Sequence, residues 1–276
     1  MIDNAKTILI TGSTDGVGRR VAERLAKPDH TILVHGRDRE RGESLVRVIR
    51  DSGGAATFYC ADFASLDAVR CMAEEVRHGH SRLDVLINNA GVGVAGAYPG
   101  RSESRDGFEL RFAVNYLAGF LLTWLLLPLL KAGRATRIIN VASVGQQTIE
   151  FADVMLTRDY SGTRAYCQSK LAQILFTFDL AEELKDTGIT VNALHPATYM
   201  DTSMVRSDGV SPISSVDEGA DAILNLAISP GLEGRTGLYF DGLRPSRASR
   251  QAYDANARAR LRTLSLQLTG LPNAAT

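Results

Sequence analysis

Residues 7–18 read TILITGSTDGVG, a short β-rich apolar run at 7–11 followed directly by a glycine-rich turn. Residues 19–27 then place apolar side chains at helical spacing. Gly12 permits a tight turn, Gly16 lets the backbone approach a pyrophosphate, and Gly18 lets the helix pack close to the sheet. Strand, loop and helix in this order predict a site where dinucleotide phosphates meet free N–H groups at a helix N-terminus. We expect cofactor contacts from Gly12, Ser13, Thr14, Asp15, Gly16, Val17 and Gly18.

Strand-like and helical patterns alternate along the rest of the chain. We predict further strands at 31–34, 56–60, 83–87, 137–141, 189–194 and 237–240, and helices at 39–51, 65–77, 106–130, 164–186 and 217–228. Continuous apolar strands that alternate with helices are typical of a parallel sheet covered on both faces. The sequence therefore predicts an α/β protein, a doubly wound Rossmann fold with a mainly parallel seven-stranded sheet and helices on both faces.

No repeat or linker divides the chain, so we expect residues 1–276 to form one domain. Residues 198–216 and the C-terminal tail at about 241–276 are expected to be a substrate loop and a further lining segment, because long loops in compact domains are commonly functional. The charge run Arg258, Arg260 and Arg262 in the tail predicts one solvated helical face.

Charge and composition argue against several kinds of partner. The chain has 31 Lys plus Arg against 31 Asp plus Glu, whereas nucleic acids and anionic membranes require a basic surface. We expect no nucleic-acid partner. Three cysteines without paired or ligand spacing, and an N-terminus without a secretory signal, predict a reducing, cytoplasmic location. His78 and His80 have no further ligands at recognisable spacing, so we expect a solvated loop and no metal.

The most apolar stretch lies at 116–130. It is shorter than the roughly 20 residues that cross a bilayer, and Pro128 interrupts it. We therefore expect a buried or subunit-interface helix and no membrane span.

The end of the second predicted strand bears on the choice of cofactor. An acidic residue there would bind an adenosine ribose and repel a 2′-phosphate, whereas an arginine would do the opposite. Arg37 occupies this place, with Arg39 and Arg41 close enough to assist and Asp38 tempering the positive charge. We predict NADP(H) as the preferred cofactor and NAD(H) as the alternative.

Tyr166 and Lys170 lie four residues apart at the start of a predicted helix, so they share one face. A free tyrosine has a pKa of about 10, and a neighbouring ammonium lowers it. The pair is therefore a candidate general acid–base group. Ser143 and residues 88–91 follow predicted strands, which brings them to the carboxyl edge of the sheet where ligands bind in open α/β folds.

Together these residues resemble the short-chain dehydrogenase/reductase family over nearly the whole chain. The matching positions are TGSTDGVG at 11–18, Asp62, NNAG at 88–91, Asn115, Ser143, and Tyr166 with Lys170. The stretches at 115–130, 164–176 and 191–197 and the tail further resemble the branch that contains retinol dehydrogenases and WW-domain oxidoreductases.

This resemblance implies a role for each residue. Tyr166 would exchange a proton with the substrate oxygen, and Lys170 would hold the nicotinamide ribose and lower the Tyr166 pKa. Ser143 would bond the reacting carbonyl, and Asn115 would hold a relay water. Asp62 would contact the adenine. Further cofactor contacts are implied at Phe63, Asn89, Ala90, Gly91, Tyr166, Pro196 and Thr198.

The chain departs from the family pattern after the sixth strand. Pro196 is followed by Ala197 where the family has glycine, and a positive φ at an alanine would be strained. The threonine that the family has five residues after this proline is displaced, because Asp201 stands there and Thr202 follows. His195, which precedes the proline, is interpreted as a packing residue, with contact to the substrate pocket as the alternative.

We therefore expect an NADP(H)-dependent oxidoreductase that acts on a ketone, aldehyde or secondary alcohol. An NADP-binding sensor or scaffold without turnover is the alternative, and a sugar-nucleotide epimerase is disfavoured by the spacing of the glycines. The substrate is expected to be moderately apolar, since Tyr199, Met200, Met204 and Val205 lie in the loop at 198–216. Family members often form dimers or tetramers through two long helices, here 106–130 and 164–186, and we expect a homodimer or homotetramer.

Overall fold

The computed structural model describes residues 5–96 and 98–272. Its strands are β1 (Lys6–Ile10), β2 (His30–Gly36), β3 (Ala55–Cys60), β4 (Val85–Asn88), β5 (Arg137–Val141), β6 (Thr190–His195), β7 (Leu238–Asp241) and β8 (Arg244–Ser246). They form one sheet in the order β3-β2-β1-β4-β5-β6-β7-β8. The first seven are parallel, and β8 is antiparallel to β7. The doubly wound α/β prediction is confirmed.

The helices cover both faces of this sheet. They are α1 (Gly16–Leu25), α2 (Arg39–Asp51), α3 (Leu66–Gly79), α4 (Ala118–Lys131), α5 (Gly162–Glu183), α6 (Ser203–Ser207), α7 (Val216–Ile228) and α8 (Ala255–Thr269). Alternate side chains of β1, β2 and β4 enter opposite cores, as Ile8 and Ile10 do on one face and Leu9 on the other. One core includes α1, α2 and α7, and the other includes α3, α4, α5 and α8.

The prediction of seven strands was one too few. Residues 244–246, RPS, are all exposed and have no apolar alternation, so nothing in their pattern indicates a strand. They form β8 because Gly242, at φ +56°, turns the chain back onto β7. Pro245 is tolerated there because β8 is an edge strand, where a missing N–H leaves no partner unsatisfied.

The helix predicted at 106–130 begins later and has an unusual start. Residues 103 and 109 pair as an isolated bridge, and a π-helical segment, Phe112–Leu117, leads directly into α4. Phe112–Lys131 is long and apolar enough to span a membrane by length and composition, contrary to the expected shortfall. However, 72% of its most apolar window is buried inside the protein, as expected for a core helix.

The tail forms α8, which packs on α5. Arg262 lies 2.6 Å from Asp179 and 2.7 Å from Glu183, and Arg260 stands 4.5 Å over the Phe151 ring. The interpretation of the arginine run as a solvated face was therefore wrong for Arg262, which is partly buried in ion pairs, whereas Arg260 is exposed as predicted. Residues 171–177 of α5 are buried at every position within one chain, so this part of α5 has no free face for a second subunit.

The histidines at 78 and 80 are not a simple solvated loop. His78 lies in the last turn of α3 and is exposed, whereas the His80 ring lies 2.9 Å from the Tyr59 hydroxyl.

Candidate active site

The glycine loop, residues 11–18, lies at the carboxyl edge of the sheet and is held by the segment after β4. The Thr11 hydroxyl accepts hydrogen bonds from the backbone N–H groups of Asn89 and Ala90, at 2.9 and 3.0 Å. The Asn89 amide donates to the Thr11 and Gly12 carbonyls, at 2.9 and 3.0 Å. The structure thus brings Asn89 and Ala90 to the loop, and their visible contacts brace its backbone.

The glycines of this loop are required by its geometry. Gly12 has φ +64° and Gly16 has φ +53°, a region that favours glycine. A Cβ atom on Gly12 would lie 2.7 Å from the Cα of Ala90. One on Gly18 would lie 2.4 Å from both the Asn89 amide nitrogen and the Gly12 carbonyl oxygen. Any larger residue at Gly12 or Gly18 would therefore displace backbone.

The loop has the donors that a pyrophosphate needs. Within the described residues, the N–H groups of Thr14, Asp15, Val17 and Gly18 donate to no protein acceptor. Val17 and Gly18 lie in the first turn of α1, where the helix dipole favours an anion. The loop therefore fits the diphosphate of a nicotinamide dinucleotide. Asp15 caps α1 by accepting from the N–H of Gly16 at 2.7 Å.

Ser13 is buried and faces the sheet. Its N–H donates to the His35 carbonyl at 2.9 Å, and its hydroxyl accepts from the His35 N–H at 3.0 Å. These bonds fasten the loop to β2, so the contact of Ser13 with a cofactor stays a prediction.

Three arginines follow β2, and their partners differ. Arg41 lies 3.3 Å from both Asp15 and Asp38, and Arg39 lies 3.5 Å from Glu43. The Arg37 guanidinium donates to the Tyr98 hydroxyl at 3.2 Å, a neutral partner that leaves its charge uncompensated by a direct ion pair among the described residues. Of the three, Arg37 is therefore best disposed to meet an anion.

The segment after β3 lies next to this region. Asp62 is partly exposed, and its carboxylate accepts from the N–H of Ala64 at 3.0 Å. Phe63 is buried and stacks on the His35 ring, with centroids 4.1 Å apart. The structure therefore places the Phe63 side chain under the site, where it packs, and leaves Asp62 at its edge.

Tyr166 and Lys170 lie in the first turns of α5, which is capped by Ser161. The Lys170 Nζ lies 5.8 Å from the centroid of the Tyr166 ring. It donates to the Val141 carbonyl at 2.8 Å and to the Gln173 side chain at 3.0 Å. The predicted pair is thus brought together, with the ammonium anchored to the end of β5.

Ser143 lies beside Tyr166 and is firmly held. Its carbonyl accepts from Tyr239 Oη and from Gln146 Nε2, each at 3.0 Å. Its hydroxyl accepts from the N–H of Gly145 at 3.0 Å. A Cβ on Gly145 would lie 3.4 Å from Ser143 Oγ and 3.7 Å from Tyr166 Cε1, so this glycine lines the same space. Tyr239 and Gln146 position Ser143, although their sequence context does not indicate it.

The electrostatics differ from the expectation for this pair. Burial raises the pKa of Tyr166, and a hydrogen bond with Ser143 opposes that effect. Burial also lowers the pKa of Lys170 to about 7. Lys170 is therefore only partly charged at neutral pH, and its Nζ is directed to the Val141 carbonyl. Without cofactor the net pKa shift of Tyr166 is upward, and the lowering of that pKa by Lys170 stays a prediction.

Asn115 lies inside the π-helical segment, a feature often found at functional sites. Its Oδ1 accepts from the N–H of Val92 at 2.7 Å, and its Nδ2 donates to Ser169 Oγ at 3.0 Å. A Cβ on Gly91 would lie 3.2 Å from Asn115 Oδ1 and 3.7 Å from Lys170 Nζ. Gly91 therefore separates these two side chains and keeps the space between them open. The water relay through Asn115 stays a prediction.

The departures from the family pattern after β6 cause no backbone strain at Ala197. Ala197 does not have a positive φ; Tyr199 does, at +44°. Pro196 is buried, and Thr198 Oγ1 lies 2.9 Å from His195 Nε2, so His195 packs and positions Thr198. Thr202 caps α6 and lies over the glycine loop, since a Cβ on Gly16 would be 3.3 Å from its methyl group.

The loop at 198–216 closes over the site. The Ser203 hydroxyl donates to the Asp15 carboxylate, and the Asp208 carboxylate accepts from the N–H groups of Val94 and Ala95, at 2.9 and 2.8 Å. Tyr199 and Met204 are exposed, as a substrate-facing role would require. Met200, in contrast, packs on the core beside α1 and α7.

Arg111 is a buried residue that sequence reasoning missed. It is fully buried and donates to the carbonyls of Gly93, Val94 and Tyr98 at 2.6 to 2.8 Å. Buried Glu109, 3.7 Å away, compensates its charge. Arg111 therefore shapes the loop after β4. In the sequence, Arg111 stands near the start of the predicted helix at 106–130, and nothing there distinguishes it from a surface arginine.

Among residues 5–96 and 98–272, no three His, Cys, Asp or Glu side chains are grouped so that they would hold a metal ion.

Comparisons with known proteins agree with this geometry. The family model described as short chain dehydrogenase matches residues 6–210. Retinol dehydrogenase 13 of Mus musculus is 37% identical over 285 residues, covering 96% of this chain and 84% of the relative. The crystal structure of an uncharacterised protein from Mycobacterium paratuberculosis has a TM-score of 0.78 and 31% identity, covering 96% of this chain and 93% of that one.

A second solved structure is a complex with NADP. The Pseudomonas aeruginosa RhlG/NADP active-site complex has a TM-score of 0.69 and 26% identity, covering 86% of this chain and 95% of that one. The family match spans most of the chain, and the relatives align over nearly all of it. The chain therefore belongs to the short-chain dehydrogenase/reductase family, in its retinol dehydrogenase-like branch, and is an oxidoreductase that acts on CH–OH and C=O groups.

Proposed function

We propose that the protein is an NADP(H)-dependent carbonyl reductase or alcohol dehydrogenase in which Tyr166 is the general acid–base. The observation that carries the proposal is that Ser143, Tyr166 and Lys170 lie at the same sheet edge as the phosphate-binding glycine loop. The bound dinucleotide would supply or accept the hydride. The chain would bind and orient both reactants and move the proton.

Each of the three side chains has a distinct part in this scheme. The Tyr166 hydroxyl donates a proton to the substrate oxygen during reduction and removes it during oxidation. Ser143, held by Tyr239 and Gln146, donates a hydrogen bond to the same oxygen. Lys170 holds the ribose of the nicotinamide half, and its Nζ is already fixed beside the space that Gly91 leaves open.

Replacement of Tyr166 by phenylalanine tests this role. Without its hydroxyl the proton has no donor, so kcat should fall by roughly 100- to 10,000-fold. The Kd for NADPH should stay unchanged, because the hydroxyl is not among the phosphate-binding groups. Tyr59→Phe is the matched control, since that hydroxyl bonds His80 at the opposite edge of the sheet. Turnover retained by the Tyr166 variant would refute the assignment.

Assays of NADPH binding and consumption by the wild-type protein separate the enzyme from an NADP-binding sensor. A sensor would bind NADPH in the wild-type protein yet consume none of it with any member of a panel of aldehydes, ketones and secondary alcohols.

Preference for NADP(H) is supported by Arg37, whose charge is directly paired with no carboxylate among the described residues. Arg37→Ala should raise the KM for NADPH by about tenfold or more, because charge-assisted hydrogen bonds to phosphate are worth roughly 1.5–3 kcal/mol. The KM for NADH should change little. Arg39→Ala, whose side chain pairs with Glu43, is the control. A wild-type preference for NADH would contradict the proposal.

An apolar substrate is supported by the rim of the site. Val144, Tyr199 and Leu243 follow β5, β6 and β7, and they are 55%, 51% and 58% exposed. Exposed apolar side chains at the ends of three adjacent strands favour an apolar carbonyl compound over a sugar. The relatives called retinol dehydrogenases are named for an apolar alcohol. A series of aldehydes of increasing chain length should show kcat/KM rising with length, and a flat or falling series would argue for a polar substrate.

A further inference from the structure

His35 lies on β2 beneath the glycine loop and is 2% exposed. Its Nδ1 accepts a hydrogen bond from the N–H of Gly12 at 3.0 Å, and its Nε2 lies 3.1 Å from the Ala61 carbonyl oxygen. Its ring stacks on Phe63. One imidazole therefore joins the turn that begins the glycine loop to the segment that follows β3.

These partners determine the form of the ring. A backbone N–H can only donate and a carbonyl can only accept, so Nδ1 is the bare nitrogen and Nε2 carries the proton. A protonated ring has no acceptor and would leave the N–H of Gly12 without a partner. The two contacts are satisfied together only by the neutral ring with its proton on Nε2.

The two segments that His35 joins lie at opposite ends of the expected site for the adenosine diphosphate half of the cofactor. Gly12 begins the loop whose free N–H groups fit a pyrophosphate, and Ala61 and Phe63 flank Asp62 at the edge where the adenine is expected. The backbone of His35 is also bonded to Ser13 in both directions. Loss of the imidazole would therefore remove the side-chain link between Gly12 and Ala61, while the backbone bonds of His35 to Ser13 stay.

We propose that His35 is a positioning residue that holds the glycine loop and the segment at 61–63 in register for the adenosine diphosphate half of the cofactor, and that cofactor affinity requires its neutral imidazole. The proposal rests on the proposed dinucleotide site. It adds a buried residue that acts through Gly12 and Ala61.

The charged surroundings are consistent with a neutral ring at physiological pH. Burial lowers the pKa of His35 to about 4, and the hydrogen bond to the Ala61 carbonyl and the charge of Asp62 oppose this effect. The other titratable groups on the elements packed against it are Asp15 in the glycine loop and Tyr59 and Cys60 on β3, and Arg37 follows on its own strand. None of these four contributes to the shift.

Two substitutions separate a hydrogen-bonding role from simple filling of space. His35→Leu removes the acceptor, whereas His35→Asn offers its amide oxygen near the position of Nδ1. Titration calorimetry with NADP⁺ at pH 7.5 should give a Kd raised by about tenfold or more for the leucine variant and within about threefold of wild type for the asparagine variant. With saturating NADPH, kcat and the KM for the carbonyl substrate should be unchanged in both.

His30→Leu is the matched control, because His30 is buried at the opposite end of the same strand and lies beside Asp29. Its Kd for NADP⁺ should equal that of wild type. A leucine variant at position 35 with wild-type affinity, or an asparagine variant as weak as the leucine one, would overturn the proposal. Wild-type protein that binds no dinucleotide would overturn the proposed function itself, and the wild-type titration alone reveals that case.

A pH series decides the matter if the leucine variant does not fold. Between pH 7.5 and 3.5, the Kd of wild type should rise about fourfold more than that of His35→Asn, because only wild type must keep an imidazole neutral and the pKa of that ring is about 4. Protonation of the 2′-phosphate affects both proteins equally and cancels in the comparison. Parallel curves would overturn the requirement for the neutral ring.

Discussion

Replacing Lys170 with methionine should make the protein more stable at neutral pH while abolishing its activity. Lys170 is 6% exposed, and burial lowers its pKa from the ordinary 10.5 to about 7. A tenfold change in a proton equilibrium is about 1.4 kcal/mol, so this difference corresponds to about 5 kcal/mol of lost stability at or below pH 7. Methionine has a similar length and no charge to desolvate.

Part of that gain is offset by polar groups that lose a partner. The Val141 carbonyl and the Gln173 side chain accept from the Lys170 ammonium, and leaving a buried acceptor unsatisfied costs about 1–3 kcal/mol. The variant should therefore be about 2 kcal/mol more stable than wild type at pH 7. A stability gain of this kind fits a residue retained for function.

The sign of the pH dependence provides the sharper test. Between the folded pKa of about 7 and the unfolded value, the unfolded chain binds the proton and the folded one does not, so wild-type stability rises with pH. The advantage of the methionine variant should shrink by about 3 kcal/mol from pH 7 to 9.5, enough to reverse it.

Urea unfolding of both proteins without cofactor at the two pH values measures this difference. Lys185→Met, whose side chain is 59% exposed, should show no such pH-dependent gap. A Lys170 variant less stable than wild type at pH 7, or a gap that does not change with pH, would refute the reasoning.

Two further substitutions test the framework of the site. Gly18→Ala should abolish NADPH binding and destabilise the protein by about 1–3 kcal/mol, because its Cβ would lie 2.4 Å from the Asn89 amide. Gly100→Ala is the control and should bind NADPH normally, since a Cβ there meets nothing within 4 Å. Normal binding by both variants would contradict the packing argument. Arg111→Met should lower the free energy of unfolding in urea by about 3–5 kcal/mol, since it removes the positive charge beside buried Glu109. A loss under 1 kcal/mol would show that the loop after β4 does not depend on this arginine.

Local patterns predicted much of this architecture. The bounds of α2 and β5 agree with the periodicity of residues 39–51 and 137–141, because helix and buried-strand patterns are properties of neighbouring residues. β8 could not be predicted, since its three exposed residues pair only because the chain turns back onto β7. The late start of the helix at 106–130 likewise depends on pairing between residues 103 and 109.

The candidate site divides in the same way. The sequence by itself determined the strand–loop–helix order at residues 7–18 and the one-turn spacing of Tyr166 and Lys170, because both are set by local geometry and by the topology of parallel strands. Only the tertiary structure decided what surrounds them. His35 bonds to Gly12 and Ala61, and Lys170 bonds to Val141, and these pairs lie 23 to 29 positions apart along the chain. The burial that shifts the pKa values of Tyr166 and Lys170 also comes from residues distant in the sequence. Such contacts depend on how the elements pack, so no local pattern indicates them.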